Sequence, residues 1–331
     1  MTANDISTEQ RYGSRFFGPT VVRAAFVLAL FGWGVGFYSP PIFLHAVVER
    51  TGWPLQWVSM AVTLHFLLGA VVVAGLPRIH RKFGMPSTTL GGAVLFALGV
   101  VGWAEAAQPW QLFIAAAMTG AGWVTMGAAA INAIISPWFV HSRPMALAKA
   151  YNGASIGGVI FSPLWVALMS LMGFTRAAAL VGACMVLVVA AIALRVITKT
   201  PQGLGQQADG GAGGVFGRTV TSSHAKPLPG ALLWRDRGFL TLAAAMALSL
   251  FAQIGLVAHL YGLLATALGA QTAGFLMALA TACAIGGRTV VAKLMPADAN
   301  RRVVLCMSYA VQMVGSIALL AATDQQTTLI V

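Results

Sequence analysis

Nine apolar runs, most of them twenty residues or longer, follow one another along this 331-residue chain, and no other feature limits its possible folds as much. About twenty residues of helix rise some 30 Å, the depth of a bilayer's hydrocarbon core. The runs lie near 23–45, 56–77, 87–105, 109–136, 147–172, 175–197, 238–264, 270–295 and 302–322, and a tenth starts at Thr327–Val331. In lipid every backbone N–H and C=O has to be satisfied within the segment, which runs of this kind achieve as helices. The expected fold is an all-α polytopic membrane protein. With 58% apolar and 8% charged residues, the chain is far from the roughly 25% charged residues of an average soluble domain. The polar first 22 residues have no short apolar core followed by a small-residue cleavage site, so no secretory signal is read there.

Lys and Arg sort cleanly along this pattern. With the N-terminus inside, 17 of the 20 fall on the inner side, only Arg50 and Arg176 fall outside, and Arg288 is left within a run. Cytoplasmic loops carry such an excess, so the N-terminus is expected in the cytoplasm and the protein in the plasma membrane of a bacterium. The net charge of +12 is then a matter of topology and of contact with anionic headgroups, and no nucleic-acid partner is implied. None of the eight acids lies inside a run, Glu105 standing only at the outer end of one, which leaves His45, His65 and His259 as the titratable groups for proton carriage. Cys184, Cys283 and Cys306 sit in separate runs without Cys-x-x-Cys spacing and read as small packing residues, so neither a metal nor a cofactor is expected.

The longest hydrophilic stretch, 198–236, contains eight glycines and reads as a flexible cytoplasmic linker. It divides a tail (1–22) and a six-helix half (23–197) from a second group of spans (237–331). Six spans, a basic central loop and a second group starting again is the layout of carriers built from two six-helix halves. On that plan the second half is expected to continue for about 80 residues and two to three spans beyond Val331.

Two inner loops hold the same ordinal place in the two groups: Leu76-Pro77-Arg78-Ile79-His80-Arg81-Lys82-Phe83-Gly84 and the segment from Lys293 to Arg302. Here the chain resembles the major facilitator superfamily, with Arg81 standing where that family's signature loop carries an aspartate. The run Trp138-Phe139-Val140-His141-Ser142-Arg143-Pro144-Met145-Ala146, followed by Gly153 and Gly157-Gly158, is similar to one in monocarboxylate transporters. The pair Gly287-Arg288 looks like the anion-binding arginine of those transporters and of the related oxalate/formate antiporters. The resemblance implies a secondary carrier working by alternating access. It also implies a departure, because the positions where monocarboxylate transporters place a lysine and an acid look like Pro41 and Ala284 here, so proton symport is not carried over.

The residues themselves point the same way. An intramembrane cation costs about 2.5–3.5 kcal/mol on insertion scales, and Arg288 has no carboxylate within the runs to pair with. Its natural counter-ion is therefore one that arrives and leaves: a small organic anion, a mono- or dicarboxylate, held by the guanidinium fork. The competing reading is a side chain that snorkels to the inner interface. Trp33 and Tyr38 of the first run, Trp123 and Asn132 of the fourth, Tyr151, Asn152 and Ser155 of the fifth, and Gln253 and His259 of the seventh are candidate pathway residues. Gly32 with Gly36 and Gly153 with Gly157 are spaced for close helix contact, and Arg143-Pro144 for a helix start. Trp53, Trp57, Trp103, Trp110, Trp138 and Trp234 fall near run ends and read as interfacial anchors. The expected partners are the anionic substrate and the lipid bilayer, with the carrier a monomer. The alternatives are the same fold with another cargo, such as a drug or sugar, and a non-transporting sensor or fragment. An integral membrane enzyme is disfavoured, since there is no His-x-x-x-His, Gly-x-Ser-x-Gly or intramembrane carboxylate pair.

Overall fold

A computed structural model of the chain describes residues 16–211, 235–294 and 301–321, and every regular element among them is helical. Eight helical segments are long and apolar enough to cross a membrane. The first consists of α1 (Gly18–Gly36) and α2 (Pro40–Thr51), the second and third are α3 (Leu55–Phe83) and α4 (Met85–Glu105), and the fourth is α5 (Pro109–Trp123) with α6 (Ala128–Ile135). The fifth is α7 (Arg143–Met172), and α8 (Phe174–Ile192) runs on through a π-turn, Ala193–Ile197, to complete the sixth. After the linker come α9 (Arg237–Leu268) and α10 (Ala270–Leu294). The ninth run forms α11 (Arg301–Ala321), whose apolar stretch Cys306–Leu319 is shorter than a span among the described residues. Residues Thr327–Val331 lie outside the description.

The first span starts earlier than hydropathy places it. Its helix begins at Gly18, inside the segment read as tail, because Pro19 presets the first turn and the preceding aromatics are packed. Phe16 meets Phe139 edge-on at 5.7 Å between ring centroids, and Phe17 meets Trp138 at 5.5 Å.

Two spans are broken in mid-membrane, each for a sequence reason. Pro40 and Pro41 bring no N–H, so α1 stops at Gly36 and a new helix starts at Pro40. The freed carbonyls find other donors: Ser39 Oγ donates to Gly34 O at 2.6 Å, and a ring nitrogen of His65 lies 3.0 Å from Gly36 O. In the fourth span a 3₁₀ turn, Val124–Met126, runs into the extended Gly127 before α6 begins. The two breaks adjoin, since a Cβ on Gly36 would lie 2.8 Å from Trp123 Cβ and one on Gly32 would lie 3.0 Å from Met126 O.

Along α7, Gly153 and Gly157 let the backbone lie against α1. A Cβ on Gly153 would run into the Phe26 carbonyl oxygen, and one on Gly157 would strike that of Leu30. This is the closest seam of the six-span group.

Lys and Arg mark one end of the bundle. Arg23, Arg78, Arg81, Lys82, Arg143, Lys149, Arg195 and Lys199 lie where α1 and α7 begin and α3 and α8 end, whereas Arg50 and Arg176 lie at the other end. The two groups of spans meet at the end away from this basic one. Tyr261 of α9 faces His45 of α2 edge-on at 5.5 Å, and Gly274 of α10 approaches Pro163 and Val166 of α7. From Arg237 to Phe251 the side of α9 nearer the basic end is almost wholly exposed.

Part of the stretch read as a loose linker is docked. Asp209 Oδ2 accepts from the backbone N–H of Val140 (3.0 Å) and His141 (2.8 Å), and Oδ1 from that of Ser142 (3.2 Å) and from the Ser142 hydroxyl. Gln206 Oε1 accepts from the Phe17 N–H at 2.9 Å. Desolvation is the largest single influence on Asp209 and would raise its pKa, but these four bonds together outweigh it and hold the carboxyl down at about 2.

Two expectations are corrected. Trp103 and Trp138 do stand near helix ends but are buried against neighbouring helices instead of facing the membrane interface; the Trp103 N–H donates to Thr119 Oγ1 at 3.3 Å, while Trp57 and Trp110 are exposed. The three cysteines are exposed on the outer surfaces of their helices instead of packed, a position a small apolar side chain tolerates in contact with lipid. Trp234 lies outside the described residues.

Candidate functional site

The two broken spans, with α3 and α7, bring a set of aromatic and polar side chains together near mid-membrane. Trp33 of α1 meets Trp123 of α5 edge-on at 6.3 Å and Tyr151 of α7 at 6.0 Å. Tyr151 Oη accepts a 2.6 Å hydrogen bond from Asn132 Nδ2 of α6. On the other flank of Trp123 the imidazole of His65 stacks at 5.7 Å with the planes 19° apart, and Phe66 stands edge-on at 6.1 Å. Phe37, in the break of the first span, connects Phe66 to Tyr38. Packing aromatic edges onto faces orders these rings. The result is a wall that is apolar in bulk, with the Tyr151–Asn132 pair as its polar point.

His65 is buried and joins three further parts of the six-span group. Nε2 lies 3.0 Å from Gly36 O, which can only accept, so Nε2 carries a hydrogen; Nδ1 lies 2.9 Å from Thr119 Oγ1. Both ring nitrogens are thus engaged with α1 and α5, and through Thr119 the network reaches Trp103 of α4. The sequence singles out His65 only as one of three histidines in the runs; its partners are 54 and 29 positions away and leave no local signal.

The second group of spans closes on this wall through Tyr38. A Cβ on Gly158 of α7 would lie 2.8 Å both from the Tyr38 ring and from Thr281 Cγ2 of α10, so α7, α10 and the break in the first span meet here. Gly274 and Thr281 both face α7 and are seven residues apart, two turns on one face. Arg288 is the next residue in that register. As α10 passes from Gly274 to Thr281 its neighbours on α7 pass from Pro163 back to Gly158, so the helices are antiparallel, and a further two turns bring the Arg288 position level with residues 151–153. The helical backbone at Arg288 is described; its side chain, like that of Ala284, lies outside the description.

The remaining sequence candidates are placed elsewhere. Asn152 is exposed and shares the flank of Met145 and Lys149, at spacings of seven and three, away from Tyr151. Gln253 is exposed on α9. His259 borders a separate cavity of about 390 Å³ between α3 and α9, with Phe66, Thr63 and Phe251 among its other walls. His45 pairs with Glu49 at 3.3 Å near the non-basic end. Ser155 is buried. Arg143 and Pro144 open α7, and Gly287 has open space around its Cα.

A family model described as the Major Facilitator Superfamily matches residues 24–331. Over 151 residues the chain is 27% identical to the MFS transporter asaE of Aspergillus flavus, a match taking in 44% of this chain and 32% of that protein. The match therefore spans about a third of that relative's length. Because the family model runs unbroken from α1 through both groups of spans, the chain belongs to the major facilitator superfamily.

Proposed function

We propose that the chain is the membrane body of a secondary carrier that moves a small organic anion, a mono- or dicarboxylate, by alternating access, and that it performs transport and no covalent catalysis. The observation that carries this reading is the heptad Gly274, Thr281, Arg288 on α10: its first two members pack on α7, and the third stands level with Tyr151 and Asn132. A carboxylate bound between Arg288 and that wall supplies the counter-ion that no acid within the spans provides, and the guanidinium offers a bidentate fork. Trp33, Tyr38 and Trp123 then form the apolar side of the site, which strengthens the charge interaction by excluding water.

Charge sorting supports a basic end in the cytoplasm; residence in the bacterial inner membrane as a monomer is part of the same proposal. The groups of spans meet at the opposite end, so this conformation is the inward-facing member of the pair. Proton coupling is not part of the proposal, since Pro41 and Ala284 occupy the positions where the resembling transporters carry an ionisable pair. The aromatic character of the wall favours a second reading, a neutral cargo such as a sugar or drug stacking on Trp33 and Trp123.

The test is uptake into proteoliposomes of a labelled panel of mono- and dicarboxylates beside a neutral sugar. Carboxylate uptake is expected, falling about a hundredfold in Arg288→Ala and less in Arg288→Lys, which keeps the charge and loses the fork. Uptake of the sugar alone, unaffected by Arg288→Ala, moves the assignment to the second reading.

A further inference from the structure

Where α1 and α7 diverge at the basic end, above the Phe26–Gly153 contact, they leave a cavity of about 420 Å³. Its walls are Pro19, Val22 and Phe26 of α1 and Met145 and Ala146 of α7, with Phe139 and Ser142 from the preceding loop. Two cations complete it, Arg23 from α1 and Lys149 from α7. The cavity belongs to a different side of the helix pair from the aromatic wall. Lys149 and Tyr151 are two residues apart, which on a helix places them some 160° from one another. The flank of α7 bearing Met145, Lys149 and Asn152 is exposed, while the Tyr151 flank turns inward to Trp33 and Asn132.

Neither cation has an acidic partner among the described residues. The Arg23 guanidinium reaches only its own helix, at 3.4 Å to Pro19 O and 3.5 Å to Thr20 Oγ1, both long. Asp209 is the nearest described acid, and its oxygens are taken up by the N–H groups of Val140, His141 and Ser142 and by the Ser142 hydroxyl. Arg143 adds to the positive side of the balance. An apolar cleft on the exposed flank, with two unpaired cations in its walls one to two turns inside the basic end, has the shape and charge to take an amphiphile with a negative head.

We infer that this cleft binds an anionic phospholipid of the inner leaflet, its phosphate between Arg23 and Lys149 and the start of an acyl chain along Val22 and Phe26. The leaflet follows from the orientation proposed above; binding itself does not depend on the identity of the cargo. The bound lipid bridges the first and fifth spans just beyond the point where their backbones touch.

The experiment is native mass spectrometry of the full chain released from mixed micelles of phosphatidylglycerol and phosphatidylcholine. One phosphatidylglycerol is expected to be retained over phosphatidylcholine by about tenfold or more, given two cations at a membrane surface. In the double variant Arg23→Gln/Lys149→Gln that preference should fall to near unity, while Arg78→Gln/Arg81→Gln, which removes equal charge from another part of the basic end, keeps it. Lys149→Arg should keep it too, and a wild-type thermal transition in the double variant separates loss of the site from loss of the fold. Equal retention of both lipids, or an equal fall in the two double variants, overturns the inference. Displacement of the retained lipid by glycerol 3-phosphate at the same concentration identifies a site for soluble anions and overturns the lipid assignment.

Discussion

His65 and Arg288 are both ionisable side-chain types in apolar runs of the sequence, and they are read in opposite ways. His65 uses both ring nitrogens inside the six-span group, one on the carbonyl that the helix break at Gly36 leaves free and one on Thr119. His65→Ala is expected to leave that carbonyl without a donor at a cost of about 1–3 kcal/mol, seen as a lowered unfolding temperature in detergent; an unchanged transition would remove the pinning role. Arg288 has no acid in its own run and only Glu49 and Glu105 at the far ends of other spans, which is why the proposal gives it a ligand. Asp209 is a third case, outside the membrane. Its carboxyl is held near 2, below its ordinary 3.8, so its bonds to the Val140–Ser142 loop are fully present above about pH 4 and are lost as the pH falls through 2. Asp209→Ala should free the linker at neutral pH, read as faster proteolytic cleavage after Thr198, and wild type should show that cleavage rate only in strong acid. The sequence makes Trp33, Tyr38, Trp123 and Tyr151 visible, because large aromatics with polar atoms stand out in apolar runs. It hides the His65–Thr119–Trp103 network, because nothing in local spacing records which distant spans touch.

Helix-scale behaviour turns on two glycines and two breaks. Gly153 and Gly157 put α7 directly on the backbone of α1, and a Cβ at Gly153 would meet a carbonyl oxygen, which cannot rotate away as a side chain can. Gly153→Ala is therefore expected to cost about 1–3 kcal/mol through overpacking. Gly75→Ala on α3, where nothing lies within 4 Å, should be neutral or slightly stabilising. Comparing the two by thermal unfolding tests the seam; equal effects would remove it. Spacing reveals such glycines as contact points but not their partners, and Gly32 and Gly36 face the fourth span while Gly153 and Gly157 face the first. The Pro40–Pro41 break can be read from the sequence, whereas the one at Val124–Gly127 cannot: Gly127 is one of many glycines, and only packing against Gly32 and Gly36 fixes it as extended.

At the scale of the molecule, the two groups of spans touch at one end and part at the other. The test is a disulfide between Val166→Cys and Gly274→Cys, two positions in van der Waals contact across the α7–α10 junction, in a background with Cys184, Cys283 and Cys306 changed to Ser. Oxidation should form the link readily, since the side chains are within disulfide reach, and should arrest transport until a reductant is added. Transport that continues through the closed link would mean that this junction does not move. Hydropathy displays the division into two groups; the end at which they meet depends on Thr281 and Tyr261, which no periodicity singles out. The break at residues 37–39 gives this junction a mechanical meaning. The first span is two levers on one pivot, the lower clamped to α7 by glycine contacts and the upper bearing Tyr261 through His45. The upper lever is itself tied to the six-span group, by Phe43 edge-on to Trp165 at 4.8 Å and by Arg50 donating to the Ala106 carbonyl at 2.9 Å, so the far end would unseal by parting Tyr261 from His45 and not by bending the pivot.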